Sequence, residues 1–421
     1  MNSQNNNSTS ARHDPYAPLR FQDFRLLMAG RFLTSFGNEM LSFAIGWELW
    51  IRTHSALALG MVGLVQVVPV FLLSLPAGHV ADQYNRRRTV LFAQVLLALC
   101  SLGLALLSAT QGTLFLIYIC LLGLGIARTF NDPASSTLLP ETVPQELFSR
   151  AATWNSSIWQ FGSITGPAVA GLVLAAWNNV TYIYVFDALA AITFSILLSQ
   201  IKGRPLPLAR KSATLDSLKE GLRFMRDTKV VLAAITLDMF AVLFGGAVAL
   251  LPIYATDILK VGAGGLGVMR SAPALGALIM AFSLAHLPPM RNAGRMLLLV
   301  VAGFGLATIV FGISTTFWLS VLMLALLGAL DNVSVVIRST LLLTQTPDEM
   351  RGRISSVNTI FIGASNELGA FESGLVAALF GPIISVVAGG IMTILVVLAV
   401  SQAWPEMRKL KSLDVPERLI V

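Results

Sequence analysis

The sequence is poor in charge. Only 12% of its 421 residues are Asp, Glu, Lys or Arg, whereas an ordinary soluble domain carries about 25%. Hydrophobic residues make up 55% of the chain, and the mean hydropathy is +0.74. This composition argues against a soluble protein. It is typical of a membrane protein with many spans, for which lipid replaces water around most side chains.

Residues that carry enzyme and metal chemistry are also scarce. The two cysteines, Cys100 and Cys120, fall inside apolar runs and are expected to be core residues without a disulfide framework. The histidines lack ligand spacing, so neither a metal nor a cofactor is expected. The sequence contains no Walker A motif, so transport driven directly by ATP hydrolysis is unsupported. GAGGLG (262–267) follows no soluble strand and is interpreted as a flexible extracellular turn. A membrane enzyme or a receptor without transport activity is therefore disfavoured.

Apolar runs long enough to cross a bilayer recur along the whole chain, at roughly 20 residues each. The predicted fold class is therefore an all-α polytopic membrane protein with twelve transmembrane helices. The predicted spans are 24–50, 57–80, 89–109, 113–131, 149–175, 180–200, 229–254, 263–286, 296–313, 317–342, 353–380 and 382–403.

Basic residues are distributed unequally between these spans. They cluster before the first span, between the second and third, in the middle of the chain and after the last, whereas loops such as SATQGT and WNNVTY have none. The positive-inside rule therefore predicts that both termini are cytoplasmic. The net charge of +7 suits such loops, and it lies on no continuous basic face, so no nucleic-acid partner is expected.

The composition divides the chain into five parts. Residues 1–23 are polar and predicted to be a disordered cytoplasmic tail. Residues 24–200 and 229–404 form two six-helix bundles, and 405–421 form a second cytoplasmic tail. Between the bundles, 201–228 is a cytoplasmic linker that begins with GRPLPLARKS. Its second part, LDSLKEGLRFMRDT, has apolar residues at helical spacing and predicts a surface helix on the membrane face.

An internal repeat supports the two bundles. When the chain is shifted by 203 residues, 13 of 40 positions are identical between 136–175 and 339–378. Chance identity would be much lower, so the sequence indicates a duplicated unit. Parallel repeats of six spans, related by an axis along the membrane normal, are one known transporter design.

With these features the sequence resembles the major facilitator superfamily along nearly its whole length. LPAGHVADQYNRRRTV (75–90) is similar to the superfamily's signature between spans 2 and 3, although Gln83 stands where Arg is usual and Asn85 replaces Gly. The matching residues are Gly78, Asp82, Arg86 and Arg87. They are predicted to form a cytoplasmic latch. In this latch Asp82 pairs with an arginine and accepts hydrogen bonds from the backbone N–H groups at the start of span 11.

A second match lies in span 5. GSITGPAVAG (162–171) is similar to the antiporter signature that the superfamily associates with exporters, with Ala170 in place of the first of the paired glycines. The matching residues are Gly162, Gly166, Pro167 and Gly171. Ordinary close packing of helices is the alternative interpretation of such small residues.

More narrowly, LLTQTPDEMRGRISSVN and LRFMRD are similar to the branch that holds the enterobactin exporter and the macrolide efflux proteins. This resemblance implies a monomer in a bacterial inner membrane that exports a bulky amphipathic compound in exchange for protons, by alternating access. A siderophore and a macrolide or other drug both remain open as substrate. The alternative is a facilitator or importer of a small nutrient on the same fold.

Ionisable residues inside a span are costly and are functional candidates by default. Proton coupling needs a carboxylate whose charge changes when its surroundings alternate between wet and dry. Burial raises the pKa of such a carboxylate, and a nearby arginine lowers it. Arg128 also resembles the span 4 arginine of the superfamily's antiporters, which is tied to proton transfer; the alternative is a buried ion pair with a neighbour such as Asp132. The proton-coupling candidates are Glu39, Arg128, Asp238, Asp331 and Glu367. Structural roles are favoured for Arg31 and Asp187, and Glu48 is expected to face water near the outer end.

The substrate pocket is expected to be roomy, amphipathic and partly aromatic. The candidates for its lining are Asn38, Phe43, Trp159, Phe240 and Phe361. The alternative is that most of these aromatic side chains face lipid or pack between helices.

Overall fold

The computed structural model describes residues 14–202, 215–288 and 292–410. Within these residues, twelve long helices follow one another in an up-and-down order. The six helices of the first half are α1 (Gln22–Thr53), α2 (Ala56–Gln83), α3 (Arg86–Ala109), α4 (Leu114–Ser136), α5 (Phe148–Trp177) and α6 (Thr181–Gln200).

The second half repeats this arrangement. Its helices are α7 (Lys229–Ile258), α8 (Gly262–His286), α9 (Ala293–Ile313), α10 (Phe317–Gln345), α11 (Asp348–Phe380) and α12 (Pro382–Ala403). In the first half α1 packs on α5 and α6, and α4 packs on α2 and α3. In the second half α7 packs on α11 and α12, and α10 packs on α8 and α9. The equivalent pairings show two pseudo-symmetric six-helix bundles.

The helices have the length and composition that a bilayer requires. Of those described, ten are long and apolar enough to cross a membrane. The other two, α1 and α11, are the longest, with 32 and 33 residues, but each carries several charged side chains. The twelve-helix fold class is confirmed, and the observed bounds lie within a few residues of most predicted spans.

An even number of helices puts the start of α1 and the end of α12 at one end of the molecule, called here the termini end. The connections at the opposite end are short. α1 and α5 each stop at a residue in the left-handed region, His54 (φ 45°) and Asn178 (φ 48°). The Ser55 hydroxyl then caps α2 by accepting from the backbone N–H of Ala58 at 3.3 Å. At the termini end, the Asn85 side chain caps α3 in the same way, accepting from the Arg88 N–H.

Part of the predicted disordered tail is folded against the first bundle. Residues Ala17–Arg20 form a 3-10 helix, and the backbone oxygens of Asp14 and Pro15 accept hydrogen bonds from Arg150 and Trp154 on α5. Residues 1–13 lie outside the described residues. At the other terminus, Pro405–Lys409 is helical, and residues 411–421 lie outside the described residues.

The predicted surface helix is present as Leu215–Asp227 and is called the linker helix. It is docked on protein, whereas the sequence predicted that it lies on the membrane face. Met225 is buried in a cluster with Ile354 and Val357 of α11, and Glu220 pairs with Arg353. The preceding GRPLPLARKS segment (203–212) lies outside the described residues.

Two predicted details in the second half need correction. GAGGLG is the first turn and a half of α8, not a flexible turn, and only Gly262 has a positive φ (+65°). α7 is not one regular helix: an α-helix, Lys229–Phe244, is followed by a 3-10 segment, Gly246–Leu250, and a π-helical turn, Tyr254–Ile258. Gly245 and Gly246 at this break line the central cavity, which explains why the irregular backbone is tolerated there.

Candidate functional site

A cavity of about 450 Å³ lies between the two bundles. Helices α1, α2 and α4 line it from the first bundle, and α7 to α11 line it from the second. Most of the wall is aliphatic or glycine, and Phe304 is the single aromatic residue among the described lining residues. The polar side chains of the wall are Ser42, Gln66, Arg128, Arg270, Asp331, Asn366 and Glu367. This combination suits a partly apolar compound that also carries polar groups.

Arg128 is held in this wall by two neutral partners. Its guanidinium donates to the side-chain oxygens of Gln66 on α2, at 2.7 Å, and Asn38 on α1, at 2.5 Å. The Nε of Arg128 is buried without a partner. Asn38, a predicted pocket residue, is therefore brought to the site as a support for Arg128. The arginine is fixed in place while its charge is left available to the cavity.

Arg270 of α8 is a cavity residue that the sequence reasoning missed. It donates to the backbone oxygen and the hydroxyl of Ser42 on α1, both at 2.9 Å, and so joins the two bundles. The rule that selected Arg128, an ionisable residue in mid-span, would have selected Arg270 too.

A buried ion cluster lies beside the cavity in the second bundle. Asp238 of α7 forms a salt bridge with Arg338 of α10, and both side chains are only 7% exposed. Asp331 lies seven residues, about two turns, before Arg338 on α10. It interacts electrostatically with both members of the pair. Asp331 also lines the cavity. The cluster therefore links a cavity carboxylate to a buried one through a shared arginine.

Two further predicted carboxylates flank the arginines. Glu367 lines the cavity and interacts electrostatically with Arg128. Glu39 lies where α1 meets α5, with its Cβ 2.7 Å from the position that a Cβ on Gly166 would take, and it interacts electrostatically with Arg270. Arg128, Asp331 and Glu367 thus line the cavity, whereas Asp238 and Glu39 lie behind its wall.

The span 5 glycines allow three close helix contacts. A Cβ on Gly162 would lie 2.7 Å from the Ser35 hydroxyl of α1, and one on Gly171 would lie 2.7 Å from the Ala263 backbone oxygen of α8. Gly162 and Gly166 therefore pack α5 on α1 within one bundle. Gly171 and the carbonyl of Pro167 instead meet Gly267 of the other bundle.

The bundles are in close contact toward the end opposite the termini. There α2 crosses α11 at Gly60 and Gly374, where a Cβ on Gly374 would lie 2.5 Å from the Gly60 Cα. The α5–α8 crossing at Gly171 and Gly267 lies in the same half of the molecule. The Trp50 indole adds a hydrogen bond across the bundles, to the Thr256 hydroxyl at 2.7 Å. Backbones this close leave no passage, so the cavity is closed at this end.

The loop between α2 and α3 is anchored inside the first bundle. Arg86 pairs with Glu141, just after α4, at 2.9 Å. Arg87 donates to the backbone oxygens of Ile201, at 2.8 Å, and Ser199 at the end of α6. Gly78 lies in the last turns of α2. The side chain of Asp82 lies outside what the structure describes, so the predicted latch stays a prediction.

Most predicted aromatic pocket residues lie away from the cavity wall. Phe43 is 0% exposed and belongs to the central core, while Trp159 is 60% exposed on α5. Phe240 stacks on Phe244 with ring centroids 6.1 Å apart, and Phe361 packs against the cluster below the linker helix. None of these four rings is among the described lining residues, which are mainly aliphatic, glycine or polar.

Three charged residues outside the cavity brace the first bundle. Arg31 donates to Asn155 and to the Ser135 hydroxyl, and Asp187 accepts from the Ser101 hydroxyl at 2.6 Å. Glu48 does not face water as expected. It is buried and held by Arg52 at 3.1 Å and by the Tyr184 hydroxyl at 2.6 Å.

A central cavity between two repeat-related six-helix bundles is the architecture of a secondary membrane transporter. Over residues 13–419 the chain matches the family described as transmembrane secretion effector. The chain belongs to this family of the major facilitator superfamily, whose members transport and do not act as enzymes.

Curated relatives and solved structures agree with this assignment. The chain is 28% identical over 396 residues to the enterobactin exporter EntS of Shigella boydii serotype 18, covering 92% of this chain and 93% of the relative. EntS of Escherichia coli O81 matches equally well. The fold is similar to that of the nucleoside transporter NupG, with a TM-score of 0.72, 12% identity, and 91% of this chain and 99% of that one covered. The fold is also similar to that of a D-xylose–proton symporter, with a TM-score of 0.70, 15% identity, and 91% of this chain and 98% of that one covered.

Proposed function

We propose that this protein is a proton antiporter of the bacterial inner membrane that exports a bulky amphipathic compound by alternating access. The compound is a siderophore, such as the enterobactin named for the curated relatives, or a macrolide or other drug. The central cavity holds the substrate. The observation that carries this proposal is a cavity with charged and apolar walls that lies between both bundles. Packed helix backbones close it toward the end opposite the termini.

The orientation follows from the positions of the basic residues. Arg86, Arg87 and Arg353 lie at the termini end, where positive charge favours the cytoplasm. A few basic side chains lie at the other end, among them Arg52, but it is paired with Glu48. With the termini in the cytoplasm, the end closed by packed helices faces outward, as expected of a state that loads substrate from inside.

Proton coupling is assigned to the carboxylates around the cavity. Glu367 and Asp331 can exchange protons with water in the cavity, and Asp238 and Glu39 lie one layer behind them. Because charge in a dry site is costly, a cavity carboxylate exchanges its proton most readily while one end of the cavity is open to water. A carboxylate that is wetted from alternate sides can thereby carry one proton inward for each substrate moved outward.

Everted membrane vesicles test this function directly. The full-length protein is produced in a host that lacks its main exporters, and uptake into the vesicles is measured for enterobactin, erythromycin and a panel of amphipathic dyes. Export in the cell corresponds to uptake here. We expect uptake of at least one compound when a proton gradient is imposed, and its loss when an uncoupler is added.

A matched pair of variants locates the coupling. Glu367→Gln removes the cavity carboxylate of α11, whereas Glu372→Gln alters a carboxylate of the same helix that is not among the lining residues. We expect Glu367→Gln to abolish uptake driven by the proton gradient and Glu372→Gln to retain it. Uptake that persists with the uncoupler would exclude proton drive, and accumulation only in intact cells would favour the importer.

A further inference from the structure

Two cavity arginines, one from each bundle, have no carboxylate as a direct partner. Arg128 donates only to the amide oxygens of Gln66 and Asn38, and Arg270 donates only to atoms of Ser42. Among the side chains that the structure describes, no Asp or Glu lies within ion-pair distance of either guanidinium. Among the described side chains, neither guanidinium group therefore has a counter-ion in contact.

Three other arginines of low exposure are each paired with a carboxylate, whereas Arg31 donates to the neutral side chains of Asn155 and Ser135 outside the cavity. Arg338 contacts Asp238, Arg52 contacts Glu48, and Arg86 contacts Glu141. A guanidinium withdrawn from bulk water is costly unless it is paired or fully hydrogen-bonded. Each paired arginine has its compensating charge in the folded protein, whereas Arg128 and Arg270 leave theirs facing a cavity large enough for a ligand.

We propose that Arg128 and Arg270 together bind an anionic oxygen group of the transported compound, such as a carboxylate, phosphate or sulfonate. The inference rests on the proposed function, because it takes the cavity to be the substrate site. Guanidinium groups are the preferred protein ligands of such anions. The partners that position the two arginines, Asn38 and Ser42, are four residues and therefore about one turn apart on α1. Since Arg128 belongs to the first bundle and Arg270 to the second, an anion bound by both bridges the two bundles, and the substrate is an anionic amphipath.

The nearby carboxylates act as competitors of this anion. Glu367, Asp132 and Asp187 interact electrostatically with Arg128, and Glu39 does so with Arg270, but none of these described carboxylates lies within ion-pair distance of either arginine. A neutral Glu367 leaves Arg128 more available to a ligand, and an ionised Glu367 opposes an incoming anion. Removal of the Glu367 charge should therefore strengthen anion binding, while removal of either arginine charge should weaken it.

Equilibrium binding of two matched probes tests the assignment. 1-Pyrenebutyrate carries one carboxylate, and 1-pyrenebutanol has the same ring and chain without the charge. Their fluorescence is titrated against the purified full-length protein in phosphatidylcholine nanodiscs, with empty nanodiscs as the blank for partition into lipid. We expect the wild type to bind the butyrate about 10-fold more tightly than the butanol, as charge-assisted hydrogen bonds would provide.

Four variants separate charge from structure. Arg128→Gln and Arg270→Gln should each weaken pyrenebutyrate binding about 10-fold and leave pyrenebutanol binding unchanged, and Arg270→Lys should recover part of the loss. Glu367→Gln should bind the butyrate more tightly than the wild type. Arg226→Gln is the control, because this arginine is 77% exposed on the linker helix and pairs only with its neighbour Asp227.

The outcomes distinguish this inference from the proposed function. Equal affinity for the two probes, or arginine variants that keep the preference for the butyrate, would overturn anion binding while leaving proton-driven export in vesicles untouched. Retained pyrenebutanol binding shows that a variant is folded. If instead the vesicles show no export but the two arginines govern butyrate binding, the anion site stands and the proposed direction or energy source fails.

Discussion

The ion cluster of Asp238, Arg338 and Asp331 makes an asymmetric prediction about stability. Arg338 lies in contact with Asp238, both 7% exposed, and close enough to Asp331 for an electrostatic interaction. Arg338→Gln removes the single cation that two carboxylates share. Leaving a buried charge uncompensated costs about 3–5 kcal/mol of unfolding free energy.

Asp238→Asn should lower the free energy of unfolding by less than Arg338→Gln does. The variant keeps Arg338, and Asp331 remains to compensate its charge, so the loss is close to that of one charge-assisted hydrogen bond, about 1.5–3 kcal/mol. The double variant Asp238→Asn/Arg338→Gln removes the contacting charges together. It should therefore be more stable than Arg338→Gln alone, with a coupling energy of about 0.5–3 kcal/mol between the two sites.

The measurement is an SDS titration of each purified variant in dodecylmaltoside, followed by the loss of tryptophan fluorescence or helical circular dichroism. Lys229→Gln serves as the reference, because its salt bridge with Glu406 is exposed (65% and 43%) and should be worth less than about 1 kcal/mol. Two results would refute the shared-cation account: Arg338→Gln no less stable than the reference, or Asp238→Asn as damaging as Arg338→Gln.

Three further predictions concern the gate, the loop and the core. Gly374→Leu should disfavour closure of the end opposite the termini by about 1–3 kcal/mol and reduce export, whereas Gly363→Leu, with no atom within 4 Å of its Cβ position, should not; equal export by the two would exclude the glycine crossing as a gate. Asp82→Asn should cut export at normal membrane levels, and near-normal export would count against the latch. Tyr184→Phe removes a donor from buried Glu48 and should cost about 1–3 kcal/mol in the SDS titration; an unchanged midpoint would show that Arg52 alone compensates the carboxylate.

The sequence predicts the fold well because bilayer thickness imposes a length on each apolar run. The twelve spans, their order and the division into two bundles all follow from this rule and from the repeat. The break in α7 does not follow from it. LFGGAVALLPIY (243–254) is continuously apolar and so predicts one span, but its Gly245–Gly246 pair and Pro252 are residues that weaken a regular helix.

The site was predicted less completely, for reasons specific to each residue. Arg128, Asp331 and Glu367 line the cavity because charge in mid-span has few other tolerable positions. Phe43 and Phe240 were expected there on residue type alone, but apolar rings are equally stable between helices or against lipid. Partners set the role of a buried charge, and partners such as Tyr184 for Glu48 lie far away in sequence.

The internal repeat explains why one end closes by packing. Gly171 and Gly374 are equivalent under the 203-residue shift, and each meets a glycine of the other bundle, at Gly267 and Gly60. The duplicated unit therefore supplies both halves of the same closure. Such contacts depend on backbone approach and need no ion pair to be broken when they separate.

The cavity positions have instead diverged between the repeats. Arg128 and Asp331 occupy equivalent positions, yet one is basic and the other acidic, and both line the cavity. Duplication alone would give the cavity two like charges, which would repel each other and bind only one kind of ion. With opposite charges, the cavity wall carries a guanidinium on the first bundle and a carboxylate, close to Arg338, on the second. In the mechanism that we propose, an anionic group held between Arg128 and Arg270 and a proton taken up by Asp331 meet in one cavity, and the rocking of one bundle against the other couples them.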